Sequence, residues 1–433
     1  MSRRAPASLA GARIHEHRLR NGLEVLVVER HDAPVVSVLL HYRVGARNER
    51  EHEAGLSHFL EHMMFKGSAE YGKGQVDITT TVLGGTNNAW TSHDHTAYWF
   101  EFTSDRWEQA LAIEADRMRG LLLDPAEFEA EKAVVLEELA MNEDDPWREL
   151  SEEVAEALFP GHPYGRPVIG YGDVLRAMTP ELMRAYHERW YRPSNAVLLI
   201  CGDVTDSAAM RAVRRHLGDL AAGGGAEEDL PVRRAIGEPK AEKRVVCRWD
   251  DGARRLCMGW STAAFGTDED YALDLLTVVL ASGRRSRLYS RLVRDEGLAT
   301  SVSVTNDTRI EGGALWLYAE CAEGVDPWQL EAAIDEELER VRVELVARRE
   351  LTRARGMLLA TEAHDHETVT DLGEDLGSFA VDGEWRMALD TEARLGAITP
   401  AFLRATARRF LSRSRRVTGW SLPEGDEVGG PAS

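Results

Sequence analysis

The chain has 433 residues, 29% of them charged, and a formal net charge of −21 at pH 7. This length exceeds one ordinary hydrophobic core, so we expect two or more domains. The acidic excess argues against a nucleic-acid partner, which needs cationic side chains, and the absence of an apolar run of about 20 residues argues against a membrane partner.

The N-terminal segment bears on the cellular compartment. Residues 1–11 include two arginines, but no apolar stretch follows them, and this does not match a secretory signal. We therefore expect a cytoplasmic protein. A periplasmic location is the alternative if an N-terminal segment was trimmed.

The first half predicts an alternation of strands and helices. Asn21-Gly22, between apolar runs at 14–19 and 23–28, predicts a β-hairpin with a type I′ turn. The further elements that we expect are a strand at 35–44, helices at 53–65 and 76–83, strand character at 89–103, helices at 106–122, 125–142 and 180–190, and a strand at 196–201.

The second half repeats this order of elements. Residues 221–229 are rich in Gly, Ala and acidic side chains, which is typical of a linker. The repetition predicts an α+β fold of two homologous domains, each a mostly antiparallel β-sheet flanked by α-helices. The predicted divisions are an N-terminal catalytic domain at 1–222, a linker at 223–240, and a C-terminal homologous domain without a metal site at 241–433.

The segment His58-x-x-Glu61-His62 carries the first chemical signal. On a helix, residues four apart share a face, so both imidazoles can point at one metal ion. Glu61 lies beside that face, as in the inverted form of the zinc-peptidase motif. Zinc suits two imidazoles and a carboxylate, and Glu61 would act as the general base that takes a proton from the attacking water. The alternative is a solvated helix face with no metal.

A third ligand is available on the helix at 125–142. Glu131 and Glu138 are seven residues apart and share a face, whereas Glu137 is rotated by about 100° from Glu138. One of the two could bind the metal and the other could support the site. Periodicity alone leaves open that these glutamates form only a solvated face.

The chain resembles the pitrilysin/insulysin family of zinc metallopeptidases, in particular the short branch that includes mitochondrial processing peptidase. The resemblance rests on the motif at 58–62, on the segment at 131–139, and on segments at 84–98, 162–167, 190–195 and 202–203. It implies that Glu138 is the third zinc ligand, that Glu131 is an auxiliary catalytic acid, and that each chain binds one Zn²⁺. It also implies one half of a clamshell-shaped, processing-peptidase-like dimer.

The resemblance further implies a substrate-binding strand. In the family, a strand at this position pairs with the backbone of the peptide, which suits an enzyme that accepts many sequences. The expected substrate-binding residues are Asn88, Ala89, Trp90 and Thr91. An ordinary strand is the alternative.

One segment departs from the family pattern. Active single-chain relatives supply an arginine and a tyrosine from the second half, but the ungapped match at 286–300 has Val293 and Thr300 in their places, with Arg294 one residue away. One donor to a developing oxyanion contributes about 10²–10³ in rate. We therefore expect the zinc-bearing subunit of a heterodimer, whose homologous partner supplies the arginine and tyrosine.

The predicted function is that of a zinc-dependent endopeptidase that hydrolyses short or unfolded peptides in a closed chamber. A first alternative is a dedicated processing peptidase for one precursor peptide. A second is a non-catalytic, structural core-type subunit, against which the intact motif argues.

Overall fold

The computed structural model describes residues 7–223, 236–237 and 239–426, so most of the predicted linker at 223–240 lies outside the described residues. The chain divides into two compact units. The first unit is drawn from Met1–Leu139, Pro167–Arg233 and Glu362–Leu389, and the second from Ala140–Arg166, Arg234–Thr361 and Asp390–Ser433. Residues 140–166, from the first half of the sequence, therefore belong to the second unit, and residues 362–389, from the second half, belong to the first. The homologous-domain boundaries remain a prediction.

The described secondary structure follows the chain in this order. The strands are β1 (Ala7–Leu9), β2 (Ala12–Arg18), β3 (Glu24–Glu29), β4 (Val35–Tyr42), β5 (Thr86–Thr91), β6 (Thr96–Thr103), β7 (Ala196–Gly202), β8 (Lys243–Arg248), β9 (Arg255–Ser261), β10 (Ala299–Asp307), β11 (Ala314–Cys321) and β12 (Arg416–Leu422). The α-helices are α1 (Leu56–Met63), α2 (Gln75–Val82), α3 (Glu108–Gly120), α4 (Pro125–Glu143), α5 (Pro146–Leu158), α6 (Gly172–Ala177), α7 (Pro180–Trp190), α8 (Asp206–Leu217), α9 (Asp268–Ala281), α10 (Pro327–Val343), α11 (Arg348–Asp365), α12 (Val369–Asp382), α13 (Thr391–Ala397) and α14 (Pro400–Phe410). Within the described ranges, no helix has the length and apolarity needed to cross a bilayer.

A seven-stranded sheet forms the centre of the first unit, in the order β1-β2-β3-β7-β4-β6-β5. Its neighbouring strands are antiparallel except for β3 and β7, which run parallel. Both faces are covered: Val25 and Val27 enter the core that contains α1, whereas Leu26 and Val28 pack with residues of α12. This double burial is why β3 and β7 are continuous apolar runs.

The first hairpin is confirmed, but its turn differs from the prediction. Strand β2 pairs with β3 in the expected antiparallel register, and Gly22 has a φ of +90°. Asn21 is not in the left-handed region, which a type I′ turn would require, and five residues, 19–23, separate the two strands. The reason is a long-range contact: the buried Asn21 amide donates to the carbonyl of Leu217 at 2.8 Å.

A five-stranded sheet forms the centre of the second unit, in the order β10-β11-β9-β12-β8. All its neighbouring strands are antiparallel except β8 and β12. Helix α5 packs on one face, and α9, α10 and α14 contribute to the core on the other. Together with the first sheet, this confirms the predicted α+β class of mostly antiparallel sheets flanked by helices.

Candidate functional site

Helix α1 separates an apolar face from a polar one. Its buried apolar residues have the spacing of one helical face: Leu56, Phe59, Leu60 and Met63. The residue that caps the N-terminus of the helix, Gly55, has a φ of +97°, and a Cβ there would lie 2.3 Å from the carbonyl oxygen of Ile169. Glu49 accepts hydrogen bonds from the N–H groups of Gly55 (2.9 Å) and Ser57 (2.7 Å). These contacts fix the start, and so the rotation, of the helix that carries the histidines.

Helices α1 and α4 bring three potential metal ligands together. The donor atoms of His58, His62 and Glu138 all lie within 4.8 Å of one another. Nε2 of His58 is 3.6 Å from Oε1 of Glu138, and Nε2 of His62 is 3.5 Å from Oε2. Two imidazoles and one carboxylate are a known donor set of zinc peptidases, so these residues fit a zinc ion. No second group of three His, Cys, Asp or Glu side chains meets as closely among the described residues.

Glu131 lies behind His62 rather than among the three donor atoms. Its Oε1 is 2.9 Å from Nδ1 of His62, and its Oε2 is 2.6 Å from Nζ of Lys66. The carboxyl side chain is 8% exposed. A carboxylate on the far nitrogen of a metal-binding histidine fixes the tautomer and the ring orientation. Lys66 was not among the residues predicted from the sequence, although its position four residues after His62 is a usable signal.

Glu61 contacts the strand that we expected to bind substrate. The hydroxyl of Thr91 donates to Oε2 of Glu61 at 2.5 Å. Burial raises the pKa of Glu61, and the hydrogen bond from Thr91 and the nearby His62 partly oppose this rise. A carboxylate with a raised pKa beside two imidazoles is suited to accept and return a proton.

The segment at 89–103, expected to have strand character throughout, is two strands with a turn between them. The N–H of Ser92 donates to the carbonyl of His95 at 2.9 Å, which closes the turn between β5 and β6. Strand β5 ends the sheet order, so in the described structure its outer edge has no strand partner. At that edge the N–H of Ala89 donates to Oδ1 of Asn88 at 2.9 Å. An open edge of this kind can accept an extended peptide.

Trp90 points to the other face of the sheet, away from Glu61. Its indole N–H donates to Oε2 of Glu374 on α12 at 2.9 Å. Its predicted role in substrate binding stays a prediction, and this contact joins β5 to a helix far along the chain. Adjacent residues of β5 thus connect one face to α12 and the other to the candidate base.

The segment that departs from the family pattern lies in the second unit. Val293 packs against the apolar core of that unit, and the hydroxyl of Thr300 donates to Oε1 of Glu320 at 3.2 Å. The guanidinium of Arg294 pairs with Asp295 at 2.7 and 2.8 Å. These three side chains are therefore engaged within their own unit.

Comparison with known proteins identifies relatives along almost the whole chain. Residues 24–172 match the family model for insulinase, peptidase family M16, and residues 177–358 match the model for the peptidase M16 inactive domain. A protein of Mycobacterium tuberculosis named as an uncharacterized zinc protease is 30% identical over 420 residues, which are 95% of this chain and 94% of the relative. An uncharacterized zinc protease of Bacillus subtilis is 28% identical over 308 residues, covering 70% and 73% of the two chains.

Solved structures share the fold. A protease from Helicobacter pylori has a TM-score of 0.90 at 24% identity and covers 95% of this chain and 100% of its own. A putative M16-like peptidase from Alicyclobacillus acidocaldarius has a TM-score of 0.84 at 24% identity, with 96% and 100% covered. At this level of identity the likeness concerns the architecture.

Proposed function

The chain belongs to the insulinase family of peptidases, family M16, and on that premise we propose that it is a zinc-dependent endopeptidase. The observation that carries the proposal is the meeting of His58, His62 and Glu138, whose donor atoms lie within 4.8 Å of one another. The relatives are named as uncharacterized zinc proteases, and these names support the same activity.

In this proposal His58, His62 and Glu138 hold one zinc ion. When bound, zinc supplies Lewis acidity, which polarises a peptide carbonyl and makes water a nucleophile near neutral pH. Glu61 takes the proton of the attacking water and delivers it to the nitrogen of the leaving amine. Thr91 holds one oxygen of Glu61, so the carboxylate meets the water in a defined orientation. Glu131 orients His62 from behind.

The proposed substrate is a short or unfolded peptide that adds to the open edge of β5. Its backbone would pair with the outward-facing backbone groups of Ala89 and Thr91, and the N–H of Ala89 would exchange its bond to Asn88 for a bond to the peptide. Reading the backbone in this way makes cleavage tolerant of sequence. The side chains of Asn88 and Trp90 remain proposed substrate contacts. The same proposal places hydrolysis inside a closed chamber. Such a chamber would admit short or unfolded peptides and exclude folded proteins.

We further propose that the chain acts as the zinc-bearing subunit of a heterodimer. Val293 and Thr300 stand where the resemblance calls for an arginine and a tyrosine, and Arg294 is paired with Asp295. A homologous partner would supply the two missing groups. The cytoplasmic location also remains a prediction.

Hydrolysis of a quenched fluorescent peptide library tests both proposals. The purified, zinc-loaded chain is assayed alone, with E61Q as the matched inactive control and a chelator as the second control. Turnover that both controls abolish supports the peptidase and refutes the need for a partner. One zinc per chain without turnover supports the heterodimer. A chain that binds no zinc refutes the proposed function and favours a structural subunit.

A further inference from the structure

Lys66 contacts the same carboxylate as His62, from the next turn of the chain. Its Nζ is 2.6 Å from Oε2 of Glu131, while Oε1 of Glu131 is 2.9 Å from Nδ1 of His62. The backbone N–H of Lys66 donates to the carbonyl of Met63 at 3.0 Å, so the lysine is anchored to the end of α1. One carboxylate of α4 thus bridges His62, in the last turn of α1, and Lys66, three residues beyond the end of that helix.

We propose that Lys66 is a positioning residue of the metal centre. It holds Glu131 in the orientation that places one oxygen on Nδ1 of His62, and through Glu131 it fixes the imidazole with Nε2 toward Glu138. The inference rests on the proposed function, because it takes His58, His62 and Glu138 to hold zinc.

The physical basis of this role is that the two oxygens of the Glu131 carboxylate have different partners, His62 and Lys66. The Glu131 side chain is 8% exposed, so water compensates little of its charge. Without Lys66, Oε2 would lose its cationic partner in this buried position, which is costly for a carboxylate. The side chain would then turn toward solvent, and the bond that orients His62 would weaken.

The orientation of the His62 ring depends on that bond, because the surrounding protein covers the ring only in part. Its side chain is 22% exposed, against 8% for Glu131. A metal-binding imidazole that loses its carboxylate partner must be ordered when the metal binds, and such losses lower metal affinity by about 10–100-fold. Removal of Lys66 should therefore reduce zinc affinity although the lysine is not a ligand.

The chain offers a matched control pair, whose glutamate lies on the same helix as Glu131. Nζ of Lys73 is 2.6 Å from Oε2 of Glu127, which lies one turn before Glu131 on α4. This second lysine–glutamate pair has the same separation, but its carboxylate is not the one that contacts Nδ1 of His62. Loss of Lys73 removes one positive charge and one ion pair, as loss of Lys66 does, but it leaves the carboxylate behind His62 in place.

The test measures zinc affinity of the full chain by competition with a chelator, without reference to activity. The variants are K66M, K66R, K73M, E131Q and the double variant K66M/E131Q. E131Q should lower zinc affinity by about 10–100-fold, and K66M should lower it by up to the same factor. K66R should retain most of the affinity, because a guanidinium also pairs with a carboxylate. K73M should match the wild type, and the double variant should be no worse than E131Q.

Three results would overturn the inference: K66M that binds zinc as the wild type does, K73M that loses as much affinity as K66M, or losses of K66M and E131Q that add in full. If K66M lacks cooperative unfolding, a comparison of K66Q with K66R decides in its place, and equal affinities of those two would overturn the inference as well. A wild-type chain without zinc affinity would instead refute the proposed function itself.

Discussion

Substitution of Thr91 by valine removes the hydrogen bond to the candidate base without changing the size of the side chain. The hydroxyl of Thr91 donates to Oε2 of Glu61 at 2.5 Å, and this bond lowers a pKa that burial has raised. Thr91→Val should therefore raise the pKa of Glu61 further. A general base works only when ionised, so the acid limb of the pH–rate profile should move to higher pH.

The size of the shift follows from the kind of bond. A hydrogen bond to a charged group contributes about 1.5–3 kcal/mol, and one pKa unit corresponds to about 1.4 kcal/mol. These values convert to about one to two pH units. Both side chains are only half-buried, so water can replace part of the lost bond and a shift of about one unit is expected.

The assay is the pH dependence of kcat/KM for a fluorescent peptide, in whichever assembly cleaves it, the single chain or the chain with its partner. Thr91→Ser is the control, because serine keeps the hydroxyl and should keep the wild-type profile. An acid limb that stays in place in Thr91→Val, or that moves to lower pH, would refute the assignment of Glu61 as a base tuned by Thr91.

Further substitutions test the remaining assignments. Glu61→Gln should retain zinc but lose about 10²–10⁴ in rate, and retained cleavage would exclude it as the base. Glu138→Gln should lower zinc affinity in chelator competition, and unchanged affinity would reassign the third ligand. Glu374→Leu, which removes the acceptor of the Trp90 indole, should raise KM more than it lowers kcat, whereas unchanged kinetics would argue against a substrate role for β5. Burial, with a second contribution from Asp270, raises the pKa of Asp274 from 3.8 to about 7. The folded state therefore binds a proton more tightly than the unfolded state, and its melting temperature should fall as pH rises from about 4 through 7. Asp274→Asn should reduce this fall, and an unchanged dependence of the melting temperature on pH would contradict the prediction.

The sequence determined the individual helices and strands, because each depends on the pattern of apolar and polar residues within a short stretch of chain. The spacing of His58 and His62 predicted a shared helical face, and their ring centroids lie 4.7 Å apart. The hairpin at Asn21-Gly22 and the helix that begins at Pro125 were predictable for the same reason. The apolar runs at 23–28 and 196–201 likewise predicted the strands β3 and β7.

Other features were decided by the tertiary structure alone. Helix α5 belongs to the second unit and α12 to the first, although α5 lies in the first half of the sequence and α12 in the second. The sequence has no local signal for such an exchange, because it depends on which apolar face of a sheet each helix covers. The turn at Gly22 also differs from the predicted type I′ turn because of a long-range contact, the hydrogen bond from Asn21 to the carbonyl of the distant Leu217.

The site shows the same division. Periodicity predicted a shared face for Glu131 and Glu138, and the resemblance, not the spacing, gave them different roles. Only the packing of α4 against α1 decided that Glu138 meets both histidines while Glu131 lies between His62 and Lys66. The contact of Thr91 with Glu61 likewise joins a sheet edge to a helix. Residue spacing along one element fixes which side chains share a face, but the distance between faces of different elements is set by the packing of the cores beneath them.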